Sequence, residues 1–325
     1  MTIPMERQTA STSNLPQPEP LPDNIRSIQP GGGTVQALEL AWGKWRRAWL
    51  KTIRPGYVRE MRGKLKGDAS TCPVEVVDSR DLKFFKNVSR CRFDSVDDPF
   101  AWRDRLPFAR AGFAELLLFG GLFGGVALIL ASGIWVHAAW SIVPGALFAF
   151  VLYFFRDPER AIPSGEGSVV SPADGKIVDI STVSDPDFIG EPAVKIGIFL
   201  SVFNVHVNRC SLTGRLIRLR YHPGKFLNAL YARSVDENER MDLYFVEPVQ
   251  PHRRFIIKQI AGAIARRIVC EIAPGDEVPR GARFGMIKFG SRTELLLPAA
   301  NLEVLVRVGD KVQGGATLLA RYVSK

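Results

Sequence analysis

The amino-acid sequence predicts a mainly β domain with some α, preceded by a hydrophobic α-helical membrane hairpin. Two observations carry this. From Leu116 to Phe155 no Asp, Glu, Lys or Arg occurs over 40 residues. From Arg156 onward the texture changes to short apolar runs punctuated by Gly and Pro, and a G-D-x-V-x-x-G segment occurs twice within it.

Taken in order, residues 1–35 are rich in Pro, Ser, Thr, Gln and Gly and end in Gly31-Gly32-Gly33, which predicts a disordered leader. The first thirty residues lack the apolar core of a signal peptide. Residues 36–66 predict a basic amphipathic helix. Trp42, Trp45 and Trp49 recur at i, i+3, i+7, among Lys44, Arg46, Arg47, Lys51 and Arg54, before Pro55-Gly56 breaks the pattern. Such a face suits an anionic lipid surface. It equally suits packing against the rest of the protein, and periodicity does not separate the two. Residues 67–109 mix charges with Phe84, Phe85, Phe93, Phe100 and Trp102 and receive no role.

Residues 110–156 predict the hairpin. One crossing takes about 20 apolar residues, so the uncharged run is long enough for two. The turn is expected at Ser132-Gly133-Ile134-Trp135-Val136-His137, with Trp140 close by. Arg103, Arg105 and Arg110 flank one end and Arg156 and Arg160 the other, which places both ends on the cytoplasmic face of the cell membrane. The alternative is a pair of buried core helices.

Residues 157–325 predict the β domain. Ser168-Val169-Val170, Gly175-Lys176-Ile177-Val178, Val194 to Phe199 and Leu302 to Val306 read as short strands. Gly275-Asp276-Glu277-Val278-Pro279-Arg280-Gly281 and Gly309-Asp310-Lys311-Val312-Gln313-Gly314-Gly315 stand 34 residues apart, each a strand, tight turn, strand unit. They resemble the turns of biotinyl and lipoyl carrier barrels.

Composition narrows the partners. The net charge of +10 suits an anionic partner. Nucleic acid is not expected, because the basic residues cluster around apolar and tryptophan-rich segments rather than on a reader fold. The four cysteines form no C-x-x-C pair, so no zinc or other metal site is expected, and scattered thiols suit a reducing cytoplasmic setting.

Three segments carry candidate chemistry. Asp174 stands in Ser171-Pro172-Ala173-Asp174-Gly175, His206 in Phe203-Asn204-Val205-His206-Val207-Asn208-Arg209, and Ser291 in Phe289-Gly290-Ser291-Arg292. Asp, His and Ser are the parts that activate a hydroxyl. Attack of Ser291 on the Gly290 carbonyl would turn the peptide into an ester. β-Elimination would leave dehydroalanine at a new N-terminus, which tautomerises and loses ammonia to water, leaving a pyruvoyl group. Gly290 tolerates the strained geometry, His206 would take the Ser proton, and Asp174 would orient the imidazole. Each residue also has an ordinary reading: Asp174 as a turn residue, His206 as a buried strand histidine.

These segments, with Phe155-Arg156-Asp157-Pro158, Tyr221-His222-Pro223-Gly224-Lys225 and Glu237-Asn238-Glu239-Arg240, resemble the phosphatidylserine decarboxylase family in its short bacterial, pyruvoyl-dependent branch. The resemblance spans residues 110–325. It implies decarboxylation of phosphatidylserine to phosphatidylethanolamine at an anionic membrane, with no external cofactor. It also implies self-cleavage between Gly290 and Ser291 into a β chain of 1–290 and an α chain of 291–325, the pyruvoyl group arising from Ser291. A homo-oligomer is compatible with it. His222 would be a structural or substrate-side residue, and Arg209 and Lys225 would meet the lipid phosphate.

Three departures stand out. The longer branch has a second histidine where this chain has Phe203, Ser211 replaces a common proline, and residues 1–105 form an extension. Three other readings stay open: a serine hydrolase using Asp174, His206 and Ser291, a non-enzymatic membrane-anchored adaptor, and, within the family, another seryl phospholipid such as an ether lipid. The hydrolase lacks a G-x-S-x-G elbow around Ser291.

Overall fold

The computed structural model describes residues 15–132, 139–185, 187–231, 233–263, 267–288 and 290–323. The expected hairpin turn lies largely outside them, as does Phe289.

The β domain is built on one eight-stranded sheet that curls into a half-barrel. Its first strands are β2 (Gly175–Ser184), β3 (Pro192–Leu200) and β5 (Gly214–His222). It continues with β6 (Arg240–Val246), β7 (Arg254–Ala261), β9 (Glu277–Val278), β11 (Ser291–Pro298) and β13 (Lys311–Val312). Their spatial order is β13-β2-β3-β11-β7-β6-β5-β9. Two three-stranded sheets accompany it. One joins β1 (Ser168–Val170), β14 (Leu318–Tyr322) and β12 (Leu302–Val304); the other joins β4 (Val207–Arg209), β10 (Arg283–Lys288) and β8 (Arg267–Cys270). Ile177, Ile198, Leu243, Phe255, Ile257 and Leu295 belong to the continuous apolar core.

The two G-D-x-V-x-x-G segments form matching corners. Their central residues make the two-residue edge strands β9 and β13, at opposite ends of the large sheet. Asp276 accepts the Ala273 amide and Asp310 the Arg307 amide, both at 2.8 Å. The closing glycines match as well, with φ of 78° at Gly281 and 77° at Gly315. Side chains are strained in that left-handed region.

Ahead of the β domain the chain differs from expectation in two places. Residues 15–33 do not behave as a disordered leader. Ile25 and Ile28 are buried, the Ile28 amide bonds Phe84, and its carbonyl accepts from Cys270. Two apolar anchors in a polar stretch suffice to thread it between the preceding segment and the β domain. Residues 36–66 form two helices, α1 (Thr34–Ile53) and α2 (Pro55–Lys64). Pro55 ends one and starts the next, because its missing N–H is harmless at a first helical position.

α1 buries Gln36, Gly43, Arg46 and Leu50 and leaves Trp42, Trp45 and Trp49 exposed at 60%, 56% and 43%. The tryptophan face is therefore not the one packed on the protein. Arg46 points inward instead, to Asp81 and Asp78. Residues 67–109, which the sequence left without a role, form short helical turns. Their Val76, Leu82, Phe84 and Phe85 join a second core with Phe154, Phe155, Val207 and Met286. The segment is thus a wedge between the helices and the β domain.

The uncharged run forms α3 (Phe113–Ala131) and α4 (Ile142–Phe154). Arg110–Ala131 is the one described helix long and apolar enough to cross a membrane, with mean hydropathy 2.1. Only Glu115 and Gly120 of α3 are buried, whereas α4 buries Val151 and Phe154 in the second core. The helices meet where Gly120 and Gly124 face Phe148. At 13 residues α4 reaches only about 20 Å.

Candidate active site

Ser291 opens β11, paired with Leu200 of β3 and Ala261 of β7. It is fully buried, and its Oγ has no hydrogen-bond partner among the described residues. A buried hydroxyl left unpaired is costly in a structural role. The residue before it, Gly290, has φ of 67°, where a side chain is strained. Its carbonyl oxygen presses on Gly262, where an added Cβ would stand 2.4 Å from it. The sequence reading missed Gly262; an Ala-Gly pair at a strand end carries no signal of its own.

His206 reaches the same peptide from the loop before β4. Its Nε2 accepts the Gly290 amide at 3.1 Å, while Nδ1 lies 2.9 Å from the Asn204 carbonyl. Nδ1 therefore carries the proton and Nε2 the lone pair. The ring is buried beneath Phe154 of α4, with centroids 4.5 Å apart. Burial pushes its pKa from the usual 6.5 down to about 4, with Arg156 pushing the same way, so the imidazole is neutral. Asn204 also accepts the Ser201 amide and hydroxyl at 2.9 and 2.8 Å, which fixes the loop.

Asp174 does not orient His206. Its carboxylate accepts the Gly314 amide at 2.7 Å and Arg160 at 2.8 Å. Burial raises its pKa, against the pull of those two partners. The Asn204 carbonyl takes the place expected of Asp174, so no hydrolase-type Asp-His-Ser relay is assembled.

The expected phosphate ligands are also elsewhere. Arg209 is buried and committed to Asp157 at 3.0 Å and to the Gly281 carbonyl. Lys225 is exposed and pairs with Glu237 at 2.9 Å. His222 lies 3.2 Å from Asp242 on β5, separated from β11 by β6 and β7, or about 14 Å at ordinary strand spacing. A turn-rich motif marks a corner as readily as a site, and here it marks a corner.

A different cluster lies near the loop before β4. A groove of about 670 Å³ is lined by Asp174, Ser201, Phe203 and Asn204, with Arg156, Lys176 and Lys311 supplying positive charge. It borders the loop that holds His206. Arg156 stacks over Tyr153 at 3.6 Å and donates to the Phe203 carbonyl at 2.9 Å. Phe203 is 62% exposed at its rim. Arg156 stands in Phe155-Arg156-Asp157-Pro158 and Lys311 in the second G-D-x-V-x-x-G segment, and spacing along the chain does not bring them together.

The family model described as phosphatidylserine decarboxylase matches residues 147–320. A phosphatidylserine decarboxylase proenzyme of Rhodopirellula baltica is 49% identical over 243 residues, 74% of this chain and 99% of the relative. Proenzymes of the same name from Chlorobium chlorochromatii and Carboxydothermus hydrogenoformans are 47% and 41% identical. They cover 58% and 67% of this chain, and 86% and 98% of their own lengths.

Proposed function

The chain belongs to the phosphatidylserine decarboxylase family, and on that premise we propose that it converts phosphatidylserine to phosphatidylethanolamine with a pyruvoyl group made from its own Ser291. The single observation that carries this reading is the buried, unpaired Ser291 Oγ beside a left-handed Gly290 tied to a neutral His206. Such a hydroxyl is suited to react with the adjacent carbonyl rather than to stabilise the fold.

In maturation, Ser291 Oγ bonds to the Gly290 carbonyl carbon and the peptide C–N bond breaks. The hydroxyl proton passes to the released amine, with neutral His206 as the relay. Removal of the Ser291 α-proton then breaks the Cβ–Oγ bond and frees the Gly290 carboxylate. The remaining enamine tautomerises, and water removes its nitrogen as ammonia. Asn204 and Phe154 hold the imidazole in register, and Gly262 leaves room for the Gly290 carbonyl.

A pyruvoyl group supplies an electrophilic ketone that takes up an amine and the electron pair left when carbon dioxide departs. Held at the start of β11, it would meet a headgroup lying in the groove. Arg156, Lys176 and Lys311 suit the lipid phosphate and carboxylate. These are headgroup contacts, so acyl and ether lipids fit alike. The α3–α4 pair would embed in the bilayer from its cytoplasmic face and keep the groove in the headgroup layer.

Intact mass spectrometry tests the reading. The wild type is expected as fragments 1–290 and 291–325, the smaller blocked by pyruvoyl, with Ser291→Ala remaining one chain. A wild type that stays whole removes the proposed cofactor.

A further inference from the structure

We propose a second lipid site, separate from the catalytic groove: a pocket between α1 and the start of α3 that holds an anionic glycerophospholipid by its phosphate. It rests on the reading of α3 as a membrane-embedded helix. The pocket, about 450 Å³, lies in a part of the chain outside residues 147–320, the span of the family match.

Its charge is unbalanced. Arg46, Arg47, Arg80, Lys83, Arg103 and Arg110 line it, against only Glu39 and Asp81. Most of these cations have carboxylate partners: Arg46 and Arg47 share Asp81, Arg80 holds Asp78, and Arg110 lies between Asp98 and Asp104. Arg103 has no carboxylate partner among the described residues. Its guanidinium instead rests over Phe100 at 4.9 Å and Trp102 at 5.7 Å. Burial lowers its pKa most, Arg80 and Arg110 add to this, and Asp78 and Asp98 oppose it. A half-buried cation with no direct ion pair gains from a bound anion, and phosphate oxygens match the guanidinium fork.

The ligand's second half follows from the lip. Trp42, Leu117 and Leu118 line the pocket and are exposed at 60%, 66% and 48%. Free phosphate needs no such lip, whereas an acyl chain leaving the pocket along α3 does. Arg110 is also the first residue of the apolar span, which sets the pocket at headgroup depth. By helical periodicity, Leu117 lies about 200° around α3 from Glu115, which holds Lys288 of β10.

The test uses the full chain in a neutral detergent, with phosphatidylglycerol as the probe because it has no amine to react at the catalytic site. Native mass spectrometry is expected to record saturable retention, weakened roughly tenfold by Arg103→Gln. Trp42→Ala, an exposed change that leaves the fold intact, should weaken lipid retention too. Phosphatidylcholine should not compete, and inorganic phosphate should compete only weakly. Equal retention by wild type and Arg103→Gln, or competition by phosphatidylcholine, overturns the site. Competition by inorganic phosphate as strong as by lipid overturns the lipid assignment. Flotation with neutral vesicles tests the embedding separately: failure there removes the premise, whereas flotation without phosphatidylglycerol preference removes only this site.

Discussion

His206 shows how one residue's surroundings set both its chemistry and its pH response. A histidine enclosed by Phe154 and tied to two backbone groups cannot be charged cheaply, and its pKa falls to about 4. The unfolded chain takes up that proton near 6.5 and the folded chain only near 4. Stability is therefore flat above this window and falls as pH drops through it, by roughly 3 kcal/mol for this group. The same neutrality keeps the imidazole competent as a base. Self-cleavage of freshly made precursor should hold nearly level from neutral pH to about pH 5 and then fall. A midpoint close to 6.5 in gel-based cleavage rates would contradict the assigned environment. His206→Ala should leave the chain uncut over the whole range.

At the scale of elements, the contact that joins the apolar helix to β10, just ahead of the proposed cleavage site, is the buried pair of Glu115 and Lys288. Glu115 lies in the first turn of α3, and Lys288 ends β10 two residues before Gly290. Glu115→Ala would leave a buried ammonium without its counter-charge, at about 3–5 kcal/mol. The expected result is a lower melting temperature and slower self-cleavage, with much of the stability regained in Glu115→Leu/Lys288→Met. If the single change melts like the wild type, the pair does not couple helix to strand. This contact also marks what the sequence could not disclose. The strands of 168–170, 175–178 and 194–199 were legible, because apolar runs bounded by Gly and Pro report their own neighbourhood. β11 was not among the strands expected: Arg292 and Glu294 interrupt its apolar run, yet both are buried and paired to each other at 2.8 Å. The order Asp174, His206, Ser291 was equally visible, but not that Asp174 turns to Arg160 and Gly314. Which partner a side chain chooses depends on distant elements, and spacing along the chain does not encode it.

Across the whole molecule, the exposed apolar side chains of α3 and α4 bear on where it works. Leu122, Leu128, Ile129, Ile142 and Val143 are exposed on α3 and α4, and neighbouring exposed apolar side chains are what a membrane or partner contact uses. α4 is short of the roughly 30 Å hydrocarbon thickness, so the pair would enter from one face and carry Arg156 near its base to the headgroups. Attachment by charge and attachment by burial respond differently to salt. Charge contacts are screened as the Debye length shrinks to about 3 Å at molar salt, whereas apolar burial of about 25 cal/mol per Å² is not weakened. The protein should therefore float with neutral and anionic vesicles alike in a density gradient at high salt. Lysines placed at Leu122 and Ile129 should shift it toward the soluble fraction, each costing about 2.5–3.5 kcal/mol at mid-bilayer. The fragments 1–290 and 291–325 should still appear, because the proposed cleavage site belongs to the β domain. Release of the wild type by salt alone would mean that basic residues hold it at the surface and that α3 does not enter the bilayer.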